Sequence, residues 1–351
     1  MSIKFLFSKN VLKAWSDVYD STDSITIHSG TSSRITFDSG CHYITKCTFE
    51  SLCEKSGSGG AIYSSNNGNA KMFVEETTFT ECHCSGFGGA IYFYSSGSCA
   101  LAKVCGYKCS TTSSNSFQFD RVYVTDSGLT IINTINDSSI AYSLNDNNAH
   151  HTLYHRYGRI ISCSVNVSNN KCSQTSGIYC YPSTSSSASS GDPSCIISFS
   201  TFTNNTCHTH YVCLYLHEGS AFKEINRCNV LRNTQQNTDT RGTICSNGNL
   251  DIKSSCILDN SAKYDFYANS YTITITDCTR DTNKETYGSV TIKETPAQSF
   301  INALIHTQAE HCVAQFDSVG DLTVITQQTK RTKACFTLFV FKNRAARDCF
   351  R

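Results

Sequence analysis

The chain has 351 residues, and its 29 lysine and arginine residues nearly balance 28 aspartate and glutamate residues. The resulting net charge of +1 gives no support for a nucleic-acid partner. Three prolines exclude a collagen-like chain and a proline-rich linker. Hydrophobic residues make up 39% of the chain, which is enough for a sizeable core and too many for an intrinsically disordered protein.

The N-terminal segment, residues 1–24, is interpreted as a cap region. Its apolar stretch at residues 5–7 is shorter than the core of a signal peptide, so no secretory signal is predicted. No later apolar run approaches the length that a transmembrane helix needs, and none is predicted.

A repeat begins after this segment. The sequence TFES at 48–51 leads to GGAIY at 59–63, and TFTE at 78–81 leads to GGAIY at 88–92. Weaker copies consist of an apolar residue, two variable residues and Asn or Cys, followed about a dozen residues later by a small residue, an aliphatic residue and Tyr or Cys. These copies are 167–170 with 177–179, 202–205 with 213–215, 230–233 with 243–245, and 257–260.

Short alternating or β-branched segments between the motifs predict strands, as at 71–76, 129–135, 271–277 and 289–293. A unit of this length cannot bury its own apolar face, but it can do so by stacking on copies of itself at about 4.8 Å. The predicted fold is therefore all-β, a right-handed single-stranded parallel β-helix of the pectin-lyase-like kind. It is predicted to span residues 25–295, followed by a partly irregular C-terminal appendage at 296–351.

Stacking predicts which residues lie above one another. One inward stack contains Ile62, Ile91, Ile178, Leu214 and Ile244, and a second contains Phe49, Phe79, Val167, Phe202, Val230 and Ile257. Amides three residues after the second set predict an asparagine ladder of Asn170, Asn205, Asn233 and Asn260. The glycine pairs at 59–60 and 88–89 predict tight corners. Residues 120–158 lack the motif and are interpreted as an irregular rung or a lateral insertion.

The two GGAIY segments and FTNN at 202–205 resemble the GGAI/FxxN repeats of polymorphic outer-membrane proteins. The pattern is more similar still to the trichomonad families of right-handed parallel β-helix surface proteins, which also show GTICSNGN (242–249), SCILDN (255–260) and SVGDLTVIT (318–326). The resemblance covers about residues 41–328. It implies a β-helix fold, a surface or adhesion role and no established catalytic residues.

The C-terminus departs from this resemblance. Many relatives of that kind end in a hydrophobic anchor and a short tail, whereas this chain ends in FTLFVF (336–341) and a basic segment (342–351). We therefore hypothesise a truncated or frame-shifted copy, and the cellular location is left undetermined.

Catalysis was considered because β-helices often carry pectin-active sites. Asn237-Thr238-Asp239 resembles the Asn-Thr-Asp motif of the polygalacturonases, but glycoside hydrolysis needs paired carboxylates, and the companion motifs are missing from the sequence. A turn is the favoured interpretation. No catalytic residue is assigned.

Metal binding was considered at three short clusters of soft ligands. They are Cys82-His83-Cys84, Cys207-His208 with His210, and His150-His151 with His155. One close pair of ligands is not a metal site, so turns and a polar loop are favoured. No metal-binding or cofactor-binding residue is assigned.

The chain has 21 cysteines, several of them near rung positions, namely Cys47, Cys82, Cys228 and Cys256. Buried thiols are favoured over disulfides, which stay open as the alternative.

Tyrosines next to the predicted corners form a further candidate set, Tyr63, Tyr92, Tyr94, Tyr179 and Tyr215. Their exposed rings would stack into a ladder that binds a glycan or a protein, or that only stabilises the fold. The predicted function is that of a non-enzymatic surface or secreted adhesion protein, whose partner is a glycan or protein on a host or neighbouring cell. The alternatives are a carbohydrate-active enzyme on the same scaffold, or a decayed family copy without retained function.

Overall fold

The computed structural model describes Trp15, Ser16, Val18 and Tyr19, then residues 24–304 apart from 66–67, 113–116, 127, 129, 145–148, 184–192, 210–212, 219–220 and 237–240. Beyond this range it describes Cys312, Ala314 and the strand at 324–325.

The described chain is built from short β-strands. The first part contains β1 (Ile25–Ser29), β2 (Ile35–Thr36), β3 (Cys41–Thr45), β4 (Thr48–Glu50), β5 (Cys53–Glu54), β6 (Ile62–Ser65), β7 (Lys71–Glu75), β8 (Thr78–Thr80), β9 (His83–Cys84), β10 (Ile91–Ser95), β11 (Cys99–Ala102), β12 (Cys105–Tyr107) and β13 (Ser110–Thr111). The middle contains β14 (Asp120–Val124), β15 (Ile132–Asn136), β16 (Ser139–Ala141), β17 (His151–Arg156), β18 (Arg159–Cys163), β19 (Asn166–Ser168), β20 (Lys171–Cys172), β21 (Thr175–Tyr181), β22 (Cys195–Ser198), β23 (Thr201–Thr203) and β24 (Thr206–Cys207). The last part contains β25 (Leu214–Leu216), β26 (Lys223–Asn226), β27 (Asn229–Leu231), β28 (Thr234–Gln235), β29 (Ile244–Ser246), β30 (Leu250–Lys253), β31 (Cys256–Leu258), β32 (Tyr264–Thr276), β33 (Thr279–Arg280), β34 (Glu285–Glu294), β35 (Ile301–Asn302) and β36 (Val324–Ile325).

Successive turns of the chain repeat the same order of strands and form three parallel faces. Face A contains β2, β6, β10, β14, β17, β21, β25, β29 and the first parts of β32 and β34. Face B contains β1, β3, β7, β11, β15, β18, β22, β26, β30 and the second parts of β32 and β34. Face C contains β4, β8, β12, β16, β19, β23, β27, β31 and β33. The predicted all-β parallel β-helix is confirmed.

The interior consists of the predicted stacks. Ile62 pairs with Ile91, and Leu214 pairs with Ile244, in both cases on neighbouring rungs of face A with fully buried side chains. On face C the Phe49 ring stacks on that of Phe79 with centroids 5.1 Å apart. Equivalent residues on neighbouring rungs therefore bury their apolar surface against one another. This burial is the main stabilising contribution in a solenoid.

The described strands of the motif-free segment 120–158 continue the rungs of the β-helix rather than forming a lateral insertion. Strands β14, β15 and β16 continue faces A, B and C in turn. The repeat was not recognisable here because Asp120 occupies the position that Ile91 holds on the preceding rung. Gly106 similarly occupies the phenylalanine position of face C, and the Phe119 ring fills the space where a Gly106 side chain would lie.

The corners require left-handed backbone. Gly59 and Gly88 have φ of +65° and +66°, and a Cβ at either position would lie within about 2 Å of a carbonyl oxygen. The predicted glycine corners are confirmed. The sequence did not indicate two further sets of left-handed corners, which begin and end face C and are formed by non-glycine residues. They are Lys46, Glu76, Lys103, Asp137, Ser164, Phe199, Arg227, Ser254 and Asp277 on one side, and Ser51, Glu81, Lys108, Tyr142, Asn169, Asn204, Arg232 and Asp259 on the other.

Segments from both ends of the chain pack on the outside of the β-helix. Trp15 and Tyr19 pack against outward-facing residues of face B, including Tyr43 and Phe73. At the other end, Ile301 packs on Leu231 and Cys256 of face C. Further along, a disulfide joins Cys312 to Cys105 on strand β12 of face C.

Candidate binding face

The outward side of face A carries a stack of tyrosine rings. Strand residues alternate between interior and exterior, so the residue after each buried aliphatic one points outward. The Tyr63 and Tyr92 rings have centroids 5.4 Å apart, and the Tyr154 and Tyr179 rings have centroids 4.9 Å apart. This first outward column comprises Tyr63, Tyr92, Arg121, Tyr154, Tyr179, Tyr215, Cys245, Tyr267 and Tyr287.

A second outward column runs beside the first, two residues further along each strand. The Tyr94 and Tyr123 rings lie 4.9 Å apart, and the Tyr181 ring stacks on His217 at 4.5 Å. This second column comprises Tyr94, Tyr123, Arg156, Tyr181 and His217. We call the two columns together the tyrosine–arginine strip.

Arg121 interrupts the first column and is surrounded by aromatic rings. Its Cζ lies 4.8 Å from the centroid of Phe87, 5.2 Å from that of Tyr92 and 5.4 Å from that of Tyr123. Its Nη1 donates a hydrogen bond to the Tyr92 hydroxyl at 2.8 Å. These cation–π contacts hold the guanidinium flat against the strip.

Arg156 interrupts the second column in the same way. Its Cζ lies 4.8 Å from the Tyr123 centroid, 4.6 Å from that of Tyr157 and 4.7 Å from that of Tyr181. Its Nη2 donates to the Tyr157 hydroxyl at 2.8 Å. Since the Tyr123 ring contacts both guanidinium groups, their Cζ atoms lie at most about 10 Å apart.

The stacked rings present their edges to solvent. The interplanar angles of 15° between Tyr63 and Tyr92, and 7° between Tyr154 and Tyr179, mean that each ring face is covered by the next rung. Tyr92, Tyr154 and Tyr215 are at most 9% exposed. The partly exposed tyrosines of the strip include Tyr63, Tyr94, Tyr123, Tyr179 and Tyr181. Burial, together with Glu218, raises the pKa of Tyr181 to about 12, so this phenol is neutral and can donate as well as accept a hydrogen bond.

The structure brings together all of the tyrosines that the sequence singled out, namely Tyr63, Tyr92, Tyr94, Tyr179 and Tyr215, on one side of face A. Sequence reasoning missed the two arginines. Both lie in strands without the repeat motif, DRVYV and HTLYHR, where only the alternation of polar and apolar residues could have placed them outward.

The candidate metal clusters are not brought together. Cys82 and Cys84 point into the interior, whereas Nδ1 of His83 bonds the Ser110 hydroxyl at 2.8 Å. Nδ1 of His208 bonds Oε1 of Gln236 at 3.0 Å, and His210 lies outside the described residues. Over the described part of the chain, no group of three or more His, Cys, Asp or Glu side chains is arranged to hold a metal ion.

The third histidine cluster was interpreted as a polar loop, which is wrong. His151 and His155 lie in strand β17, with His151 packed on the Phe117 and Tyr179 rings of face A. A regular strand would put residues four apart on the same side, but the register shifts between His151 and Leu153, so His151 lies outside and His155 inside.

His155 belongs to a buried polar network inside the β-helix. Its Nε2 lies 3.2 Å from Oδ2 of Asp120, and its Nδ1 bonds Oδ1 of Asn133 at 2.7 Å. The other Asp120 oxygen accepts the Tyr154 N–H at 3.0 Å. These three side chains are fully buried in place of the aliphatic stack, and Oδ2 of Asp120 and Nε2 of His155 have no hydrogen-bond partner among the described residues, so the group is a buried polar contact that solvent does not reach.

The asparagine ladder is confirmed. The Nδ2 of Asn170 donates to Oδ1 of Asn205 at 3.1 Å, and Asn205 donates in the same way to Asn233 at 3.0 Å. Asn233 donates to Asn260 at 3.0 Å. On earlier rungs Cys82 and Cys109 hold the equivalent position, where each thiol contacts a carbonyl oxygen of face C instead.

The four cysteines named from the sequence are buried thiols, as favoured. Burial raises the pKa of Cys228 to about 12, which keeps this thiol unreactive near neutral pH. The disulfide alternative applies elsewhere, at Cys105 and Cys312, and Cys163 is disulfide-bonded as well.

A small acidic pocket lies at the C-terminal end of the β-helix. It is lined by Asp259 and Asp281. The backbone N–H of Asp259 donates a hydrogen bond to Oδ2 of Asp281 at 2.9 Å. Burial and the nearby Asp281 raise the pKa of Asp265 to about 7, but this carboxyl is only 1% exposed and does not line the pocket. The motif at 237–239 lies outside the described residues.

No family model matches the chain, and no curated protein or solved structure is significantly similar to it. Within the described residues, no helix has the length and apolar character needed to cross a membrane.

Proposed function

We propose that this chain is a non-enzymatic β-helix protein that binds a glycan or protein ligand through the tyrosine–arginine strip. The observation that carries the proposal is the two outward columns of tyrosine side chains on face A, with Arg121 in one column and Arg156 in the other. The ring stacking and cation–π contacts fix these side chains before a ligand arrives, so less side-chain entropy is lost on association.

A surface or secreted location is part of the proposal. The Cys105–Cys312 disulfide supports it, because structural disulfides persist in oxidising compartments. The similarity of the GGAI/FxxN repeats to those of surface β-helix proteins points the same way.

The test is binding by variants that remove hydroxyls and keep rings. Tyr94→Phe, Tyr123→Phe and Tyr179→Phe retain the stacking that stabilises face A. The triple variant should bind a glycan array or host cells at least tenfold more weakly than the wild type, since each lost hydrogen bond is worth about 0.5–1.5 kcal/mol.

The matched control is Tyr142→Phe with Tyr271→Phe, because both tyrosines are exposed and lie outside the strip. Equal binding by the triple variant and this control would refute a role for the strip. Cleavage of a polysaccharide by the wild type would instead favour the carbohydrate-active alternative.

A further inference from the structure

We infer that the tyrosine–arginine strip recognises an acidic oligosaccharide with a carboxylate on every second sugar, and that Arg121 and Arg156 each bind one carboxylate. This inference rests on the proposed function, because it names the ligand class of the same strip. It follows from three features: unused charge, the spacing of that charge, and the orientation of the rings around it.

The first feature is positive charge without a carboxylate partner. Each guanidinium has five N–H donors; Arg121 donates to the Tyr92 hydroxyl, and Arg156 donates to the Tyr157 hydroxyl and also bonds Tyr154, so both keep unused donors. The ion pairs among the described residues involve other basic side chains and leave both arginines without an acidic partner. The strip is therefore complementary to an anion, and a carboxylate fits a guanidinium with two parallel hydrogen bonds.

The second feature is spacing. The two guanidinium groups flank the single Tyr123 ring, so that they lie on adjacent rungs and in adjacent columns. One rung of about 4.8 Å and two residues of about 3.3 Å each along the strand put about 8 Å between the two positions, so a rigid ligand reaches both guanidinium groups when its acidic groups are about 8–10 Å apart. A carboxylate on alternate sugars of an extended oligosaccharide meets this requirement, and the intervening sugar lies over Tyr123.

The third feature separates a glycan from a nucleic acid. Single-stranded nucleic acids bind by stacking bases on exposed aromatic faces within an extended basic groove. Here the facing rings of Tyr63 with Tyr92 and of Tyr154 with Tyr179 cover each other, and the described strip has two arginines rather than an extended basic groove. Hydroxyl edges are suited to hydrogen bonds with sugar hydroxyls instead.

The experiment compares a hyaluronan hexasaccharide, which has a carboxylate on alternate sugars, with the same oligosaccharide methyl-esterified at its carboxylates. Isothermal titration calorimetry uses the full chain and the variants Arg121→Gln and Arg156→Gln, which keep a polar side chain. Arg227→Gln is the control, because Arg227 packs over Phe199 at a corner away from face A. Circular dichroism and urea midpoints verify that each variant is folded.

We expect the acidic hexasaccharide to bind the wild type and the Arg227→Gln control equally, and to bind each strip variant at least tenfold more weakly. The methyl ester should bind all four proteins as weakly as the strip variants bind the acid. Equal affinity for acid and ester, or no effect of either strip variant, would overturn the inference. Tighter binding of a dT hexanucleotide than of the acidic hexasaccharide would overturn it as well.

These outcomes separate the inference from the proposed function. If neutral glycans or a protein bind the wild type and lose affinity in the Tyr→Phe triple variant, the strip is a binding face and only the acidic ligand is wrong. If the triple variant retains full binding of every ligand, the proposed function fails together with the inference.

Discussion

Replacing Asn205 by alanine should destabilise the protein by about 4 kcal/mol. The side chain is fully buried. Its Nδ2 donates to the Val167 carbonyl at 2.9 Å and to Oδ1 of Asn233 at 3.0 Å. Its Oδ1 accepts from the backbone N–H of Asn170 at 3.0 Å and from that residue's Nδ2 at 3.1 Å. Four hydrogen bonds at about 1 kcal/mol each give the predicted loss.

The free energy of unfolding would be measured by urea titration with far-UV circular dichroism. Asn249→Ala is the matched control, because Asn249 is exposed and its side chain accepts one bond from the Thr272 N–H. That variant should lose less than about 1 kcal/mol. A double variant, Asn205→Ala with Asn233→Ala, should cost less than the sum of the two single losses, since the two side chains share bonds. The ladder argument is refuted if Asn205→Ala costs no more than Asn249→Ala.

Three further predictions follow from the interior and the C-terminal contact. Leu214→Ala should cost about 2–5 kcal/mol through loss of apolar contacts and a residual cavity, whereas Leu144→Ala, at a position that is 53% exposed, should cost far less in the same urea assay. Burial raises the pKa of Asp265 to about 7, so its contribution to stability is fully present below about pH 4 and is lost as the pH rises through 7. Asp265→Asn should remove this loss. The difference in free energy of unfolding between the variant and the wild type should therefore shift in favour of the variant by up to about 4 kcal/mol from pH 4 to pH 8. Cys312→Ser should leave the partner thiol of Cys105 open to alkylation under native, oxidising conditions, detected by mass spectrometry; an unlabelled Cys105 would contradict the disulfide.

The sequence predicts the architecture correctly wherever residues of the same type recur at a fixed interval. Ile62 and Ile91, and the four ladder asparagines, were placed correctly because a parallel rung puts equivalent residues above one another. A period is detectable only while the residues that define it are of the same type. The rung with Asp120 was therefore missed, although its backbone is paired like the others.

The parts that sequence could not supply depend on contacts between rungs. Asp120 takes the place of an aliphatic residue beside His155, whose Nε2 lies 3.2 Å from Oδ2 of Asp120, and Oδ1 of Asp120 accepts the Tyr154 N–H from the next rung. The same holds for the binding face: Arg121 becomes a candidate ligand-binding residue through the rings of Phe87 and Tyr123 around it, which no spacing in the sequence specifies.

The Cys105–Cys312 disulfide also determines how the protein responds to mechanical load. The two cysteines are 207 positions apart, and the bond joins them directly. Tension applied between a point before Cys105 and a point after Cys312 passes through the sulfur–sulfur bond and bypasses the rungs between them. About 700 Å of extended chain is thereby shielded from unravelling, whereas the described turns that precede strand β12 lie outside this loop and can be peeled away while the bond is intact.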